Sequence, residues 1–141
     1  MDLGSSADRQ NVSLKVGIDL VASESVSRAL ADHPDRYLRR VYTSDEVADC
    51  RRATAIDPQR LAARFAAKEA VRKVLEPAPD DGLGWRSIAV RRAPSGAPYV
   101  QLHGAAAELA ERRGIGHIAI SLTHEDGCAA AVALAETEGK P

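Results

Sequence analysis

From Leu14 to Leu20 the chain alternates: Leu14, Val16, Ile18 and Leu20 are separated by Lys15, Gly17 and Asp19. A period of two predicts a half-buried strand, with Asp19 on the face opposite the aliphatic row. Ser23 or Ser25 is placed to cap a helix through about Ala31, and His33-Pro34 ends it. Asp35 opens a basic helical turn, Arg36 to Arg40. Thr43 and Glu46 have the spacing of a capping box, which predicts a helix to about Arg52. Asp57-Pro58 starts the longest helical stretch, Gln59 to Leu75. Leu61, Phe65, Val71, Val74 and Leu75 do not share one narrow stripe, and alanines 62, 63, 66, 67 and 70 fill another side. A helix apolar on several sides belongs in the middle of a domain.

The second half changes period. A proline- and glycine-rich loop, Glu76 to Gly84, leads to a predicted strand from Trp85 to Arg92. Pro94 to Ala97 is a turn, and Pro98 to Leu102 a returning strand. Ala105 to Arg113 predicts a short helix closed by Gly114. Strands over Ile118–Thr123 and Cys128–Leu134 flank a turn at His124 to Gly127, where Asp-Gly favours a hairpin. This order predicts a compact single α+β domain over residues 14–135, with an antiparallel sheet packed around the long central helix. Met1–Ser13 reads as a disordered polar leader and 136–141 as a flexible tail.

Composition narrows the function classes. The 141 residues suit one domain, and a formal net charge of −1 gives no basic field for nucleic acid. No apolar run approaches the ~18 residues of a membrane span. Cys50 and Cys128 form no CxxC pair and no zinc spacing, which fits reduced thiols in a cytoplasmic protein. There is no Walker loop, no dinucleotide glycine fingerprint, no HExxH and no GxSxG.

The candidate chemistry is therefore carried by charged side chains. Asp19 is a carboxylate among aliphatics, costly unless paired, exposed or metal-bound. Glu69 lies mid-helix, where an ion pair with Lys73 is its ordinary role. Two carboxylates from separate elements can also hold a hard cation such as magnesium, with phosphate oxygens and waters completing the shell. Arg64, Lys68 and Arg72 follow one line along the helix; with Lys73 they make either a solvated face or a polyanion site. His124 ends a strand, as a surface turn residue or a phosphate donor. Ser95-Gly96-x-Pro98 suits any hairpin.

Together these segments resemble one family. Gly17-Ile18-Asp19 is similar to its N-terminal GxD motif. Phe65-Ala66-Ala67-Lys68-Glu69-Ala70 with Lys73 resembles its FxxKEAxxK helix. Gly96-Ala97-Pro98 resembles its G-x-P turn, and Ser121-Leu122-Thr123-His124 its final S-x-[ST]-H strand. The family is the 4'-phosphopantetheinyl transferases of the short, holo-acyl-carrier-protein synthase type, matched from about Val16 to Leu134. The resemblance implies transfer of phosphopantetheine from coenzyme A to a serine hydroxyl of an apo acyl carrier protein, releasing 3',5'-ADP. It implies Mg2+ held by Asp19 and Glu69, and catalytic roles for Asp19, Lys68 and Glu69. Coenzyme A would be bound by Arg64, Lys68, Lys73, Ser95, Gly96, Pro98 and His124. Arg36 and Arg40 would dock the acidic carrier, and three chains would form a homotrimer with sites between subunits. The serine proton would go to Glu69 or to a water on the metal. The chain departs from the family in its longer leader and in Ala22-Ser23-Glu24-Ser25, where a basic residue is common. The competing readings are a diphosphate hydrolase using the same carboxylates, and a binding module without turnover.

Overall fold

The computed structural model describes residues 12–138. In chain order the elements are β1 (Val12–Ala22), α1 (Ser23–Asp32), α2 (Pro34–Val41), α3 (Ser44–Asp49), β2 (Arg51–Arg52), β3 (Ala55–Ile56), α4 (Pro58–Leu75), β4 (Ile88–Arg92), β5 (Pro98–Leu102), α5 (Gly104–Arg112), β6 (Ile115–Glu125) and β7 (Cys128–Glu138). The main sheet has the order β1-β7-β6, and β2-β3 and β4-β5 form separate ribbons. Every pairing is antiparallel. The β6–β7 hairpin turns at Asp126-Gly127, both with positive φ (42° and 84°), the backbone its sequence predicts.

α4 lies across one face of the main sheet. Asp57 caps it, accepting from the Gln59 amide at 2.9 Å, and Pro58 occupies the first turn. Ala62, Ala66, Ala67 and Ala70 are fully buried, so the helix comes close to the strands. The approach is tightest at Gly17, where an added Cβ would collide with the Ala70 carbonyl and come within 3.1 Å of the Lys73 Cβ. Leu61, Val71, Val74 and Leu75 meet Ile88, Leu109, Ile115 and Ile118 in the core.

Several sequence expectations shift. Trp85–Ser87 is a 3-10 turn, and the strand begins only at Ile88. Val12 and Ser13, expected in the leader, pair with Glu138 and Thr137, so Glu136–Glu138 are strand rather than tail. Residues 1–11 and 139–141, the rest of those two segments, lie outside the described residues. The largest surprise is the facing of β1. Gly17, Asp19 and Val21 point to α4, while Leu14, Val16, Ile18 and Leu20 are 66–69% exposed. The aliphatic row expected in the core is the side of the sheet that the described residues leave uncovered.

Candidate functional site

Asp19 on β1 and Glu69 on α4 face each other across the seam that Gly17 makes narrow. Burial pushes the Glu69 pKa above the usual carboxylate range, and the neighbouring Asp19 charge pushes it further. Lys73, one turn along α4, does not bridge to Glu69. It donates to the Ile18 carbonyl at 2.7 Å and reaches Asp19 Oδ1 at 3.4 Å. Its ammonium is half exposed beside the two acids, available to an anion brought there.

A second group of residues lines a cleft of about 340 Å³ beside the N-terminal half of α4. Arg60 and Arg64 come from the helix, Arg92 from β4, Gly96 from the β4–β5 turn, Pro98 from the start of β5, and His124 from the end of β6. Gly96 has φ 91° with the Arg92 guanidinium beside it, a backbone that other residues rarely adopt. Arg52 and Arg60 face Asp57, and Arg91 is held by Asp49 at 2.9 Å. Arg64 has no carboxylate among the described residues. It is only 8% exposed, its NH1 reaches the Arg60 carbonyl at 3.4 Å, and its Nε has no partner. A buried guanidinium with an unfilled donor, on the wall of a basic cleft, has the chemistry to receive an anion. Ser95 is in the same turn, where its Oγ accepts from the Ala97 amide at 3.4 Å and keeps its own O–H to donate.

Lys68 is placed differently from its expected position beside phosphates. It is fully buried, and its ammonium donates to Glu46 Oε1 (2.6 Å), the Trp85 carbonyl (3.1 Å) and the Ile88 carbonyl (2.5 Å). Three acceptors use all three N–H donors, so in this pose nothing is left for a ligand. Burial lowers the Lys68 pKa and Glu46 opposes that shift. Arg36 and Arg40 are exposed on α2, and neither lines the basic cleft.

The comparisons with known proteins bear on this arrangement. A family model described as the 4'-phosphopantetheinyl transferase superfamily matches residues 15–133, which include the Asp19–Glu69 seam and every residue of the basic cleft. The chain belongs to that superfamily. A holo-[acyl-carrier-protein] synthase of Moorella thermoacetica is 45% identical over 127 residues, covering 88% of this chain and 94% of the relative. Among solved structures, an acyl carrier protein synthase of Mycobacterium tuberculosis is 35% identical with a TM-score of 0.67, covering 86% of this chain and 96% of that one. An ACPS–CoA complex from Chronobacterium ammoniagenes is 28% identical with a TM-score of 0.76, covering 90% of this chain and 99% of that one.

In this superfamily member the residues of the seam fit a hard cation with an incomplete protein shell. Asp19 and Glu69 offer carboxylate oxygens, and no cluster of three or more His, Cys, Asp or Glu ligands occurs among the described residues. That donor set suits Mg2+, which retains waters and takes substrate oxygens, better than a closed zinc site. Sequence reasoning singled out Arg64, Gly96, Pro98 and His124, which the fold gathers into one cleft. It missed Arg60 and Arg92, whose signal was a basic residue one turn before Arg64 and another just before the glycine turn. It also missed Glu46, read only as half of a capping box. Both capping bonds are present, at 3.2 and 3.0 Å, but the same carboxylate also reaches Lys68 and the Val90 amide.

Proposed function

We propose that the protein transfers 4'-phosphopantetheine from coenzyme A to a serine hydroxyl of an apo acyl carrier protein, releasing 3',5'-ADP. The observation that carries this reading is the basic cleft around the unfilled Arg64 donor, a short way along α4 from a carboxylate pair. Coenzyme A has the matching chemistry: a 3'-phosphorylated adenosine whose 5' oxygen carries the diphosphate that is to be split. Arg64 and His124, with the open turn at Gly96, would hold the nucleotide end. Lys73 would sit against the diphosphate and offset the charge that grows on the departing phosphate. The serine Oγ forms its bond to the β-phosphorus as the bond to the bridging oxygen breaks. Glu69 is the group of this chain placed to accept the serine proton, the other acceptor being water.

Asp19 and Glu69 would hold Mg2+, whose contribution when bound is to neutralise the diphosphate. Arg36 and Arg40 form a free basic edge on α2, suited to an acidic carrier surface. The uncovered aliphatic face of the main sheet supports assembly with further copies of the chain, in keeping with a homotrimer. The split between the cleft and the acidic seam supports a site completed between two copies. The reading places the enzyme in the cytoplasm, where coenzyme A and acyl carriers meet; no helix among the described residues is long and apolar enough to cross a membrane.

Arg64→Met tests the coenzyme assignment. It removes the buried donor and keeps the aliphatic stem. The KM for coenzyme A should rise about 10-fold or more, the scale of a lost charged hydrogen bond, with the carrier KM little changed. An unchanged coenzyme A KM would remove the cleft from the reading.

A further inference from the structure

The Glu46–Lys68 pair has a place in the fold that neither partner's local role explains. Glu46 is fully buried in the first turn of α3. Its Oε1 accepts from the Thr43 amide and Lys68, and its Oε2 accepts from the Val90 amide at 3.0 Å. Lys68 adds the carbonyls of Trp85 and Ile88. One ion pair thus joins α3, α4, the 3-10 turn and the start of β4, with every donor filled. The surroundings confirm that it is enclosed: Tyr42 lies 5.5 Å from the ammonium, its ring against the same charge.

Helix α4 needs such a device. Where it meets β1 it sets Ala70 against Gly17, a close contact with little side-chain shape to specify rotation. Neighbouring residues on a helix point about 100° apart. Fixing Lys68 toward α3 and β4 therefore fixes Glu69 toward β1, where Asp19 stands. A small rotation of α4 would carry Glu69 away from Asp19 and would also disturb the buried Leu61, Val71, Val74 and Leu75. It would break all three bonds of the Lys68 ammonium, leaving two buried charges unpaired, which is strongly disfavoured.

We propose that the buried Glu46–Lys68 pair is a positioning device that sets the rotation of α4 and so holds Glu69 opposite Asp19. Glu46 and Lys68 are positioning residues; neither touches the substrate. This rests on the reading of Asp19 and Glu69 as the cation pair, and the test separates the two claims.

The variant E46L/K68M replaces the pair with apolar side chains of similar size, an exchange that folded proteins often tolerate. Three quantities are compared with wild type after thermal unfolding has shown a cooperative fold. The first is the nuclear Overhauser effect between Gly17 Hα and Lys73 Hβ in metal-free protein, which reports the β1–α4 seam directly. The second is direct Mn2+ binding by electron paramagnetic resonance, without substrate. The third is the metal concentration for half-maximal transfer. The seam signal should fall at least about two-fold, and Mn2+ affinity should fall by about 10-fold or more, as when a partner that orients a metal ligand is lost. Transfer should be partly restored by excess metal, with the carrier KM unchanged. A cooperatively folded variant with wild-type seam signal and Mn2+ affinity overturns the proposal. If E46L/K68M does not fold, E46Q is used, which keeps the shape and removes the charge. It should lower Mn2+ affinity by about three-fold or more, and an unchanged affinity in folded E46Q counts equally against the proposal. D19N is the control for the underlying reading. If D19N binds Mn2+ as wild type does, the cation pair is wrong, while the seam signal still decides the positioning claim.

Discussion

Glu69 illustrates how one side chain can be costly to the fold and useful to the site. Its folded-state pKa is raised, first by burial and then by Asp19. Between the ordinary glutamate value, about 4.3, and that raised value, the folded state holds a proton the unfolded chain has lost. Stability from this group is full below the ordinary value and falls as pH rises through the raised one. Glu69→Gln removes the fall. In chelator-treated protein its melting temperature should exceed wild type near pH 7 and match it near pH 4. The same variant should lose transfer activity. A wild-type melting profile at both pH values would mean that neither burial nor Asp19 raises the Glu69 pKa. The identities of both acids were legible in the sequence, because the GxD and KEA segments name them. Their juxtaposition was not, since spacing along the chain does not say which strand a helix crosses. Lys68 shows the opposite limit. The motif marks it as important, but only packing reveals that its charge is spent on Glu46 and two carbonyls.

At the scale of elements, the seam between β1 and α4 carries the account. The period-two strand, the Asp57-Pro58 start of α4, the Thr43–Glu46 box and the Asp-Gly hairpin are all local signals, and all appear in the structure. What local signals do not encode is how closely elements approach. Gly17 is buried against the Ala70 carbonyl, so Gly17→Ala forces the helix away from the strand. The cost should be about 1–3 kcal/mol of stability, the usual range for overpacking. Because Asp19 is two residues along the same strand, activity should fall further than stability alone explains. Chemical denaturation, with transfer measured on the folded fraction, checks both effects. A destabilised variant with full activity per folded molecule would separate the seam from the site. Trp85–Ser87 is a 3-10 turn where the sequence suggests strand, because Trp85 favours strands and the segment runs straight into Ile88-Ala89-Val90. Its carbonyls instead turn inward, where Trp85 meets the Lys68 ammonium.

The whole molecule presents its most hydrophobic strand face to the outside. Val12, Leu14, Val16, Ile18 and Leu20, joined by Val132 and Leu134, form one continuous apolar surface on the main sheet. The alternation in β1 is a sound burial signal, but the burial it specifies is not supplied by the described residues of one chain. Helix α4 takes the other face, with its glycine and carboxylate. Patches of this kind mark interaction surfaces, and each large aliphatic side chain that becomes buried contributes about 1.5–3 kcal/mol. The double substitution Leu14→Glu with Ile18→Glu should therefore shift the protein to monomer in sedimentation, while leaving the helical signal in circular dichroism intact. Transfer should fall with the assembly if the basic cleft of one copy works with the acidic seam of another. Retention of the wild-type sedimentation coefficient would place the contacts elsewhere. Chain-wide net charge hid the relevant electrostatics, because the arginines of the cleft and of α2 are balanced by acids elsewhere in the fold.

The central claim is the transfer itself, and one mass measurement addresses it. An apo acyl carrier protein is mixed with this protein, coenzyme A and Mg2+, and the intact carrier is weighed. The account predicts a gain of one phosphopantetheine on the carrier, located at a serine, with stoichiometric 3',5'-ADP. A carrier of unchanged mass, or 3',5'-ADP released from coenzyme A with no carrier present, would contradict it.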